Sequence, residues 1–220
     1  MFRTDDDHPS IKPKALLVNL EASSPEGKTA RELLDAMNIA WHSVGNEALD
    51  RTVSDNLEPI VMPTEDPERA HIREDEPDGS EVPDDVQMIV MAAFTRPELE
   101  KFLNDYRDTD APPVRLKAVA THNNFGWKLR SLAFELEREQ QTMSLYNVLV
   151  RAVQAVEMMN HEDYTPESWS VLESLSLKAA DQVNRIRNQV EVPIPEMRET
   201  WDSLQTAVNG LIPSLDDKED

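Results

Sequence analysis

The alternation of apolar and polar positions predicts a strand followed by a helix at two places in the chain. A short apolar run at 15–20 is typical of a buried strand, and a helical pattern over about 25–37 follows it. The same order returns with a run at 86–94 and a helix over about 96–107. Apolar residues in these helices share one face by their spacing: Ala30, Leu33, Leu34 and Met37, then Leu99, Phe102, Leu103 and Tyr106.

Each of the two apolar runs leads into the pattern [Ser/Thr]-x-Pro-Glu, which is typical of a helix start. A hydroxyl at the N-cap accepts a backbone N–H, and a glutamate three residues later reaches back to the cap. Proline fits the first turn, where no N–H is needed. The two copies, Ser23–Glu26 and Thr95–Glu98, predict N-caps at Ser23 and Thr95.

A second strand and a second helical segment complete each unit. The strands are predicted near 39–44 and over 114–121. A short helical turn around 49–57 follows the first strand, and a helix that begins near 126 follows the second. The order is therefore strand, helix, strand, helix, used twice.

Two such units predict the α+β fold class. The βαβα-like halves, 14–61 and 86–140, are each too small to bury a good core alone, so we expect them to share one small mixed sheet. Together they form a predicted α+β domain over 14–140, with helices covering one face of the sheet.

The remainder of the chain has only helical patterns. No proline or glycine occurs between Trp127 and Pro166, which predicts one long helix, or two nearly collinear ones, over about 127–160. Thr165 is expected to cap the next helix, which ends before the prolines at 193 and 195. A last amphipathic segment completes an all-α three-helix bundle over 141–212.

Three segments have too few apolar residues to fold on their own. Residues 1–13 are predicted to be a disordered N-terminus, and 213–220 an acidic, solvated tail. Residues 62–85 contain four prolines and ten acidic side chains, and they predict an acidic mobile linker between the two α+β halves.

Charge and composition narrow the classes of partner. With 43 acidic and 22 basic residues, the net charge is −21, which argues against nucleic acid and against an acidic membrane surface. The acidity serves either solubility or binding to a basic partner. The absence of cysteine excludes disulfides, thiolate zinc sites and a cysteine nucleophile. No apolar stretch approaches a membrane span, and no secretory signal is present, so we expect a cytoplasmic protein.

Part of the chain resembles a known family. After the strand–helix–strand pattern comes Ala120–Leu129, in which Thr121, Asn124 and Trp127 match a Thr-x-x-Asn-x-x-Trp-like turn. By these features Val86–Glu139 resembles the family called domain of unknown function 3783. The resemblance implies no activity, and the first half from Ala15 is similar enough to be its more diverged partner.

The helical part resembles a second module. Tyr146–Leu211 is similar to FIVAR, "found in various architectures", through Tyr164–Trp169, the Ala179-Ala180 pair, and Leu204–Leu211 after a short connection. The resemblance implies a three-helix bundle of a kind often repeated in extracellular, surface-associated proteins. This chain has one copy.

The strongest local candidate for a ligand site is the turn that carries Thr121, His122, Asn123, Asn124 and Trp127. It follows a strand and opens a helix, so free backbone N–H groups there would suit an anion. In a purely structural interpretation, Asn123 or Asn124 caps the helix, and Trp127 fills the gap between helix and sheet. Capping accounts for every residue of the set except His122.

His42 is the remaining candidate. If the second strands of the two halves end side by side, His42 and His122 would line a shared groove for a small ligand. No two histidines have the i, i+4 spacing of a helical metal site, and GxSxG, P-loop, HExxH and GxGxxG motifs are absent. We therefore expect no catalytic residues, no cofactor and no metal site.

These features favour a cytoplasmic, non-enzymatic protein-interaction or regulatory module that binds a protein partner through its bundle. The alternative is a small-ligand-sensing domain that uses the groove between the two α+β halves. An enzyme with an unrecognised site is the third hypothesis. The pattern defines no oligomeric state.

Overall fold

The computed structural model describes residues 12–57 and 77–214. The chain divides into two compact units, Met1–Glu137 and Arg138–Asp220, here called the sheet unit and the helical unit. Within the described ranges no helix is both long and apolar enough to cross a membrane.

The elements follow the predicted order. In the first half they are β1 (Lys14–Val18), α1 (Pro25–Ala36), β2 (Ala40–Val44), a 3-10 turn (Asn46–Ala48) and α2 (Val53–Leu57). In the second half they are β3 (Met88–Ala92), α3 (Arg96–Arg107), β4 (Leu116–Val119) and α4 (Leu129–Glu157). A 3-10 turn (His161–Asp163), α5 (Pro166–Arg187) and α6 (Ile194–Asn209) follow.

The four strands form one mixed sheet in the order β2-β1-β3-β4. Within each half the two strands are parallel, and the halves join through an antiparallel pairing of β1 with β3. Leu16 lies opposite Val90 at the centre of that pairing. The α+β fold of two βαβα halves in a single sheet is confirmed, and the halves are related by an approximate two-fold axis through this central pair.

Helices cover both faces of the sheet, so the expectation of one covered face is wrong. One face packs Ala15, Leu17, Ile89 and Met91 against α1 and α3. The other packs Leu16, Val18, Met88 and Val90 against α2 and the start of α4. The physical reason lies in the two central strands, whose apolar residues run without alternation, because such strands need cover on both sides.

The last nine residues of the linker predicted over 62–85 are described, and part of this stretch packs against the sheet unit, whereas its mobility stays a prediction. Val82 is buried in the sheet-unit core, and its carbonyl accepts a hydrogen bond from Arg130. Asp84 pairs with the same guanidinium at 2.9 Å. The earlier part of that segment lies outside the described residues, as do 1–11 of the predicted disordered N-terminus and 215–220 of the predicted acidic tail.

Helices α4, α5 and α6 pack around a core of their own in the helical unit. Its buried apolar residues are Leu149, Val156, Leu172, Ala179, Val183, Val192, Met197 and Leu204. Two buried polar side chains join this interior, since Gln182 Nε2 donates to Thr200 Oγ1 at 3.0 Å. The helix predicted over 127–160 is one continuous helix of 29 residues.

Candidate functional site

The side chain of Asn124 holds the turn between β4 and α4. Its Oδ1 accepts the backbone N–H of Thr121 at 2.8 Å, and its Nδ2 donates to the carbonyl of Val119 at 3.1 Å. The backbone N–H of Asn124 donates to the Thr121 carbonyl at 3.2 Å. The Thr-x-x-Asn spacing is therefore explained by a hydrogen-bonded turn that closes on itself.

This turn also joins the two halves of the sheet unit. The carbonyls of Phe125 and Trp127 accept the first N–H groups of α2, from Ser54 and Val53, at 2.9 and 2.8 Å. In return, Leu129 N donates to the Arg51 carbonyl and Arg130 N donates to the Leu49 carbonyl, at 3.1 and 2.9 Å. Because two of the first donors of α4 are used in this way, they are not available to an anion.

The other predicted residues of the turn separate into exposed and packed ones. His122 and Asn123 are exposed. Trp127 is half-buried and packs against the sheet-unit core, as the structural interpretation expected.

The shared groove predicted between His42 and His122 does not exist in this fold. His42 lies on β2 and His122 follows β4, and these strands form opposite edges of the sheet. Because β1 and β3 are antiparallel, the carboxyl ends of β2 and β4 also point to opposite ends of the sheet. Within the described ranges, no three His, Asp or Glu side chains come together as metal ligands.

A concave region of the sheet unit lies at the carboxyl ends of β1 and β2 and is here called the β1–β2 crevice. The chain turns to one face of the sheet after β1 and to the other after β2, and such a change of direction often opens a ligand site. The crevice has a volume of about 940 Å³ and is open to solvent. Its polar lining includes Asn19, Glu21, Ser23, Arg31, Ser43, Asp84, Asp85 and Gln87.

Two side chains shape this crevice. Asn19 has a left-handed backbone (φ 52°), and its amide donates to the carbonyls of Asp84 and Val86. Arg31 donates to the Glu21 carbonyl and to Ser43 Oγ, and its guanidinium lies 5.2 Å from the ring centroid of Trp41. Sequence patterns did not identify these residues, although a polar asparagine directly after a buried strand was a usable indication.

A second concave surface lies between α5 and α6 and is here called the α5–α6 groove. Its volume is about 600 Å³. The lining combines apolar residues with charged ones: Val171, Leu175, Pro195, Arg198, Glu199, Asp202, Ser203, Thr206 and Ala207. Sequence patterns did not identify these groove residues, although Val171 falls outside the apolar spacing of the α5 core residues.

Two side chains whose pKa is shifted by burial, Lys117 and Tyr106, lie in neither concave region. Burial lowers the pKa of Lys117, whose Nζ donates to the Val114 carbonyl and lies 5.5 Å from the ring centroid of Tyr106. Burial, with a contribution from the Glu26 carboxylate, raises the pKa of Tyr106. This pair belongs to the packing of α3 on the sheet.

Comparison with known proteins identifies one family. The family model described as Domain of unknown function (DUF3783) matches residues 87–143, about a quarter of the chain. The match covers the second βαβα half through its Asn124 turn and confirms that part of the predicted resemblance. No curated protein and no solved structure matches the chain.

Proposed function

We propose that this protein is a non-enzymatic protein-interaction module and that its helical unit supplies the binding surface. One observation carries the proposal. Among the described residues, eight large apolar side chains are exposed, and seven of them belong to the helical unit. These seven are Met143, Met158, Val171, Leu177, Val190, Val208 and Ile212.

The sheet unit offers a contrast. Its one exposed large apolar side chain in the described ranges is Trp41, at 36%. That indole already donates to Asp35 at 2.8 Å and lies against Arg31. Contiguous exposed apolar surface is typical of an interaction site, whereas single scattered side chains are not. Of the seven, Val171 lines the α5–α6 groove together with Leu175 and Ala207.

Two sequence features agree with this proposal. The resemblance of Tyr146–Leu211 to FIVAR would make the helical unit a binding module. The net charge of −21 suits a basic partner, and a cytoplasmic setting is part of the proposal.

A crosslinking experiment on the full chain tests the proposed function. A photoreactive amino acid at Val171, 56% exposed, should capture a partner from a lysate of the native host. The same group at Lys28, on the exposed side of α1, is the matched control and should capture none. Equal capture from both positions, or none from either, would contradict a binding surface on the helical unit.

The β1–β2 crevice supports a second candidate, a sensor of a small polar ligand. Its position at the carboxyl ends of two parallel strands is the specific observation that favours it. A thermal-shift screen of small polar metabolites should then give a stabilising compound whose effect is lost in Asp85→Ala. The exposed Asp110→Ala, at the end of α3, should keep the effect. An identical shift in both variants would place binding elsewhere.

A further inference from the structure

We propose that the α5–α6 groove binds a basic amphipathic helix of a partner protein. The inference rests on the proposed function, since it names the class of partner for that surface. Three features carry it: the spacing of the apolar side chains, the distribution of charge, and the state of the backbone groups around the groove.

The apolar side chains of the groove have helical spacing. Val171 and Leu175 lie one turn apart on α5, and the small Ala207 on α6 lines the same groove. Ile212 is held at the same end, because its N–H donates to Ser168 Oγ and its carbonyl accepts from Thr165 N. An apolar strip with this spacing suits the side chains that an amphipathic helix presents at i, i+3 and i+4.

The backbone around the groove selects a helix over an extended segment. The walls are the helices α5 and α6, whose backbone groups are used within each helix. An extended peptide would find no ladder of donors and acceptors there, and its own polar backbone would stay unpaired on the apolar floor. A helix brings its backbone groups already paired.

The charge around the groove selects a basic partner. The end formed by the start of α5 and the end of α6 has three carboxylates, Glu162, Asp163 and Glu167, and no lysine or arginine over 160–171 or 206–214. Along α6 the groove lining has two carboxylates, Glu199 and Asp202, and one cation, Arg198, so it is net negative. The helical unit as a whole has seven basic and fifteen acidic residues, a net charge of −8.

A peptide-binding experiment with the full chain tests the inference. The probe is a fluorescent 18-residue synthetic peptide with leucines on one helical face and lysines on the other, and a second peptide has glutamate in place of lysine. Anisotropy should show saturable one-to-one binding of the lysine peptide, at least tenfold tighter than the glutamate peptide. Equal affinity of the two peptides, or no saturable binding, would overturn the inference.

Two aspartate variants separate groove binding from general attraction between opposite charges. Val171→Asp and Leu177→Asp each add one negative charge to α5. Charge attraction alone would therefore make both variants bind the lysine peptide more tightly. Leu177 is 68% exposed and lies outside the groove. Groove binding predicts at least tenfold weaker affinity for Val171→Asp and unchanged or slightly tighter affinity for Leu177→Asp. The same effect in both variants would overturn the assignment of the groove.

A further pair of variants tests the acidic end. Glu167→Gln should weaken the lysine peptide about threefold, the loss expected for one partly screened charge contact. Glu173→Gln, exposed on another side of the same helix, should have no effect.

If crosslinks from Val171 capture a partner that lacks a basic amphipathic helix, the proposed function stands and this inference fails. If no partner is captured, the proposed function itself fails.

Discussion

At the scale of single residues, Asn124 explains the Thr-x-x-Asn spacing of the turn after β4. Its amide closes the turn after β4, and the carbonyls that follow accept the first donors of α2. The turn that the sequence analysis proposed as a ligand site therefore connects the two halves of the sheet unit through backbone hydrogen bonds. His122, the residue that capping did not account for, is exposed beside it.

Replacing Asn124 with alanine should therefore destabilise the sheet unit. The change removes two hydrogen bonds and leaves the N–H of Thr121 and the carbonyl of Val119 without these partners, so the free energy of unfolding should fall by about 1–3 kcal/mol. Urea unfolding followed by circular dichroism measures it. Asn123→Ala, one position away and exposed, should stay within about 0.5 kcal/mol. Equal effects would show that Asn124 does not hold the turn.

Lys117 provides a second residue-scale prediction, which depends on pH. Burial lowers its pKa in the folded protein, so between that pKa and the ordinary value near 10.5 the unfolded chain binds more protons. The free-energy cost of burying the charged lysine is fully present below the lowered pKa and disappears as the pH rises towards 10.5. Lys117→Met should therefore raise the free energy of unfolding at pH 7, because methionine carries no charge to desolvate.

The gain from Lys117→Met should shrink as the pH approaches 10, and urea unfolding at pH 7, 8.5 and 10 would show this. Tyr106 and Glu26 face the same region and are present in both proteins, so the comparison of variant with parent isolates the lysine. Lys101→Met, on the exposed side of α3, is the control. A gain that grows with pH would contradict the assignment.

At the scale of elements, three helix starts combine a hydroxyl residue with Pro-Glu but differ in their caps. Thr95 has both bonds of a capping box with Glu98. In the first copy the cap is Ser24, which accepts from Gly27 N at 3.1 Å, so the predicted N-cap at Ser23 is wrong by one residue. Pro25 directly follows the cap there. Thr165 occupies the N-cap of α5 without a side-chain bond to the backbone.

This difference predicts an order of stability losses on replacing each cap with alanine. Thr95→Ala should cost about 1–2 kcal/mol, Ser24→Ala about 1 kcal/mol, and Thr165→Ala less than about 0.5 kcal/mol. Native-state hydrogen exchange at the first turns of α3, α1 and α5 measures each loss within its own element. A loss at Thr165 as large as that at Thr95 would show that the capping box adds nothing.

Buried polar groups in the helical unit give a further element-scale prediction. Gln182 is 1% exposed, and its Oε1 has no hydrogen-bond partner among the described residues. Gln182→Met keeps the volume and removes the desolvated oxygen together with the Nε2 bonds to Thr200 and Glu196. Because Thr200 Oγ1 still bonds the Glu196 carbonyl and the Glu196 carboxylate still bonds Arg185, the free energy of unfolding should rise by about 1 kcal/mol. Gln182→Ala, which leaves a cavity, should have the opposite effect. Loss of stability in both variants would show that the amide contributes more than its unpaired oxygen costs.

The same elements show why the sequence predicted some bounds better than others. α3 begins and ends where the spacing and the capping box place it, at Arg96 and Arg107. β3 is shorter than its apolar run over 86–94, because the run predicts burial whereas a strand also needs a partner, and β4 pairs with it over four residues. Val82 was missed because one apolar residue among acids and prolines has no periodicity.

At the scale of the whole molecule, the repeat of βαβα is a spatial symmetry as well as a pattern. The β1–β3 pairing is centred on Leu16 and Val90, and on one face of the sheet Thr52 and Lys128 form an antiparallel bridge between equivalent segments. The sequence predicted the two halves and their shared sheet. It did not predict which strands lie at the centre, and for that reason the groove of His42 and His122 was misplaced.

The approximate two-fold axis leads to a last prediction, for the second half alone. The family match covers this half only, yet all five β3 residues are buried, at 0–2% exposure, partly by the first half. Exposing them would cost roughly 1.5–3 kcal/mol for each large side chain. A fragment of residues 77–143 should therefore pair β3 with β3 of a second copy, Val90 opposite Val90, and form a symmetric dimer.

Light scattering after size exclusion should give twice the fragment mass, and the dimer should dissociate on dilution. The full chain should not dimerise through β3, because β1 already pairs with that edge. Val90→Asp in the fragment should abolish dimerisation, because it places two carboxylates opposite each other in an apolar seam. The exposed Lys101→Asp should leave it intact. A folded monomeric fragment would show that β1 is not needed to cover β3. The second half would then be stable without the first.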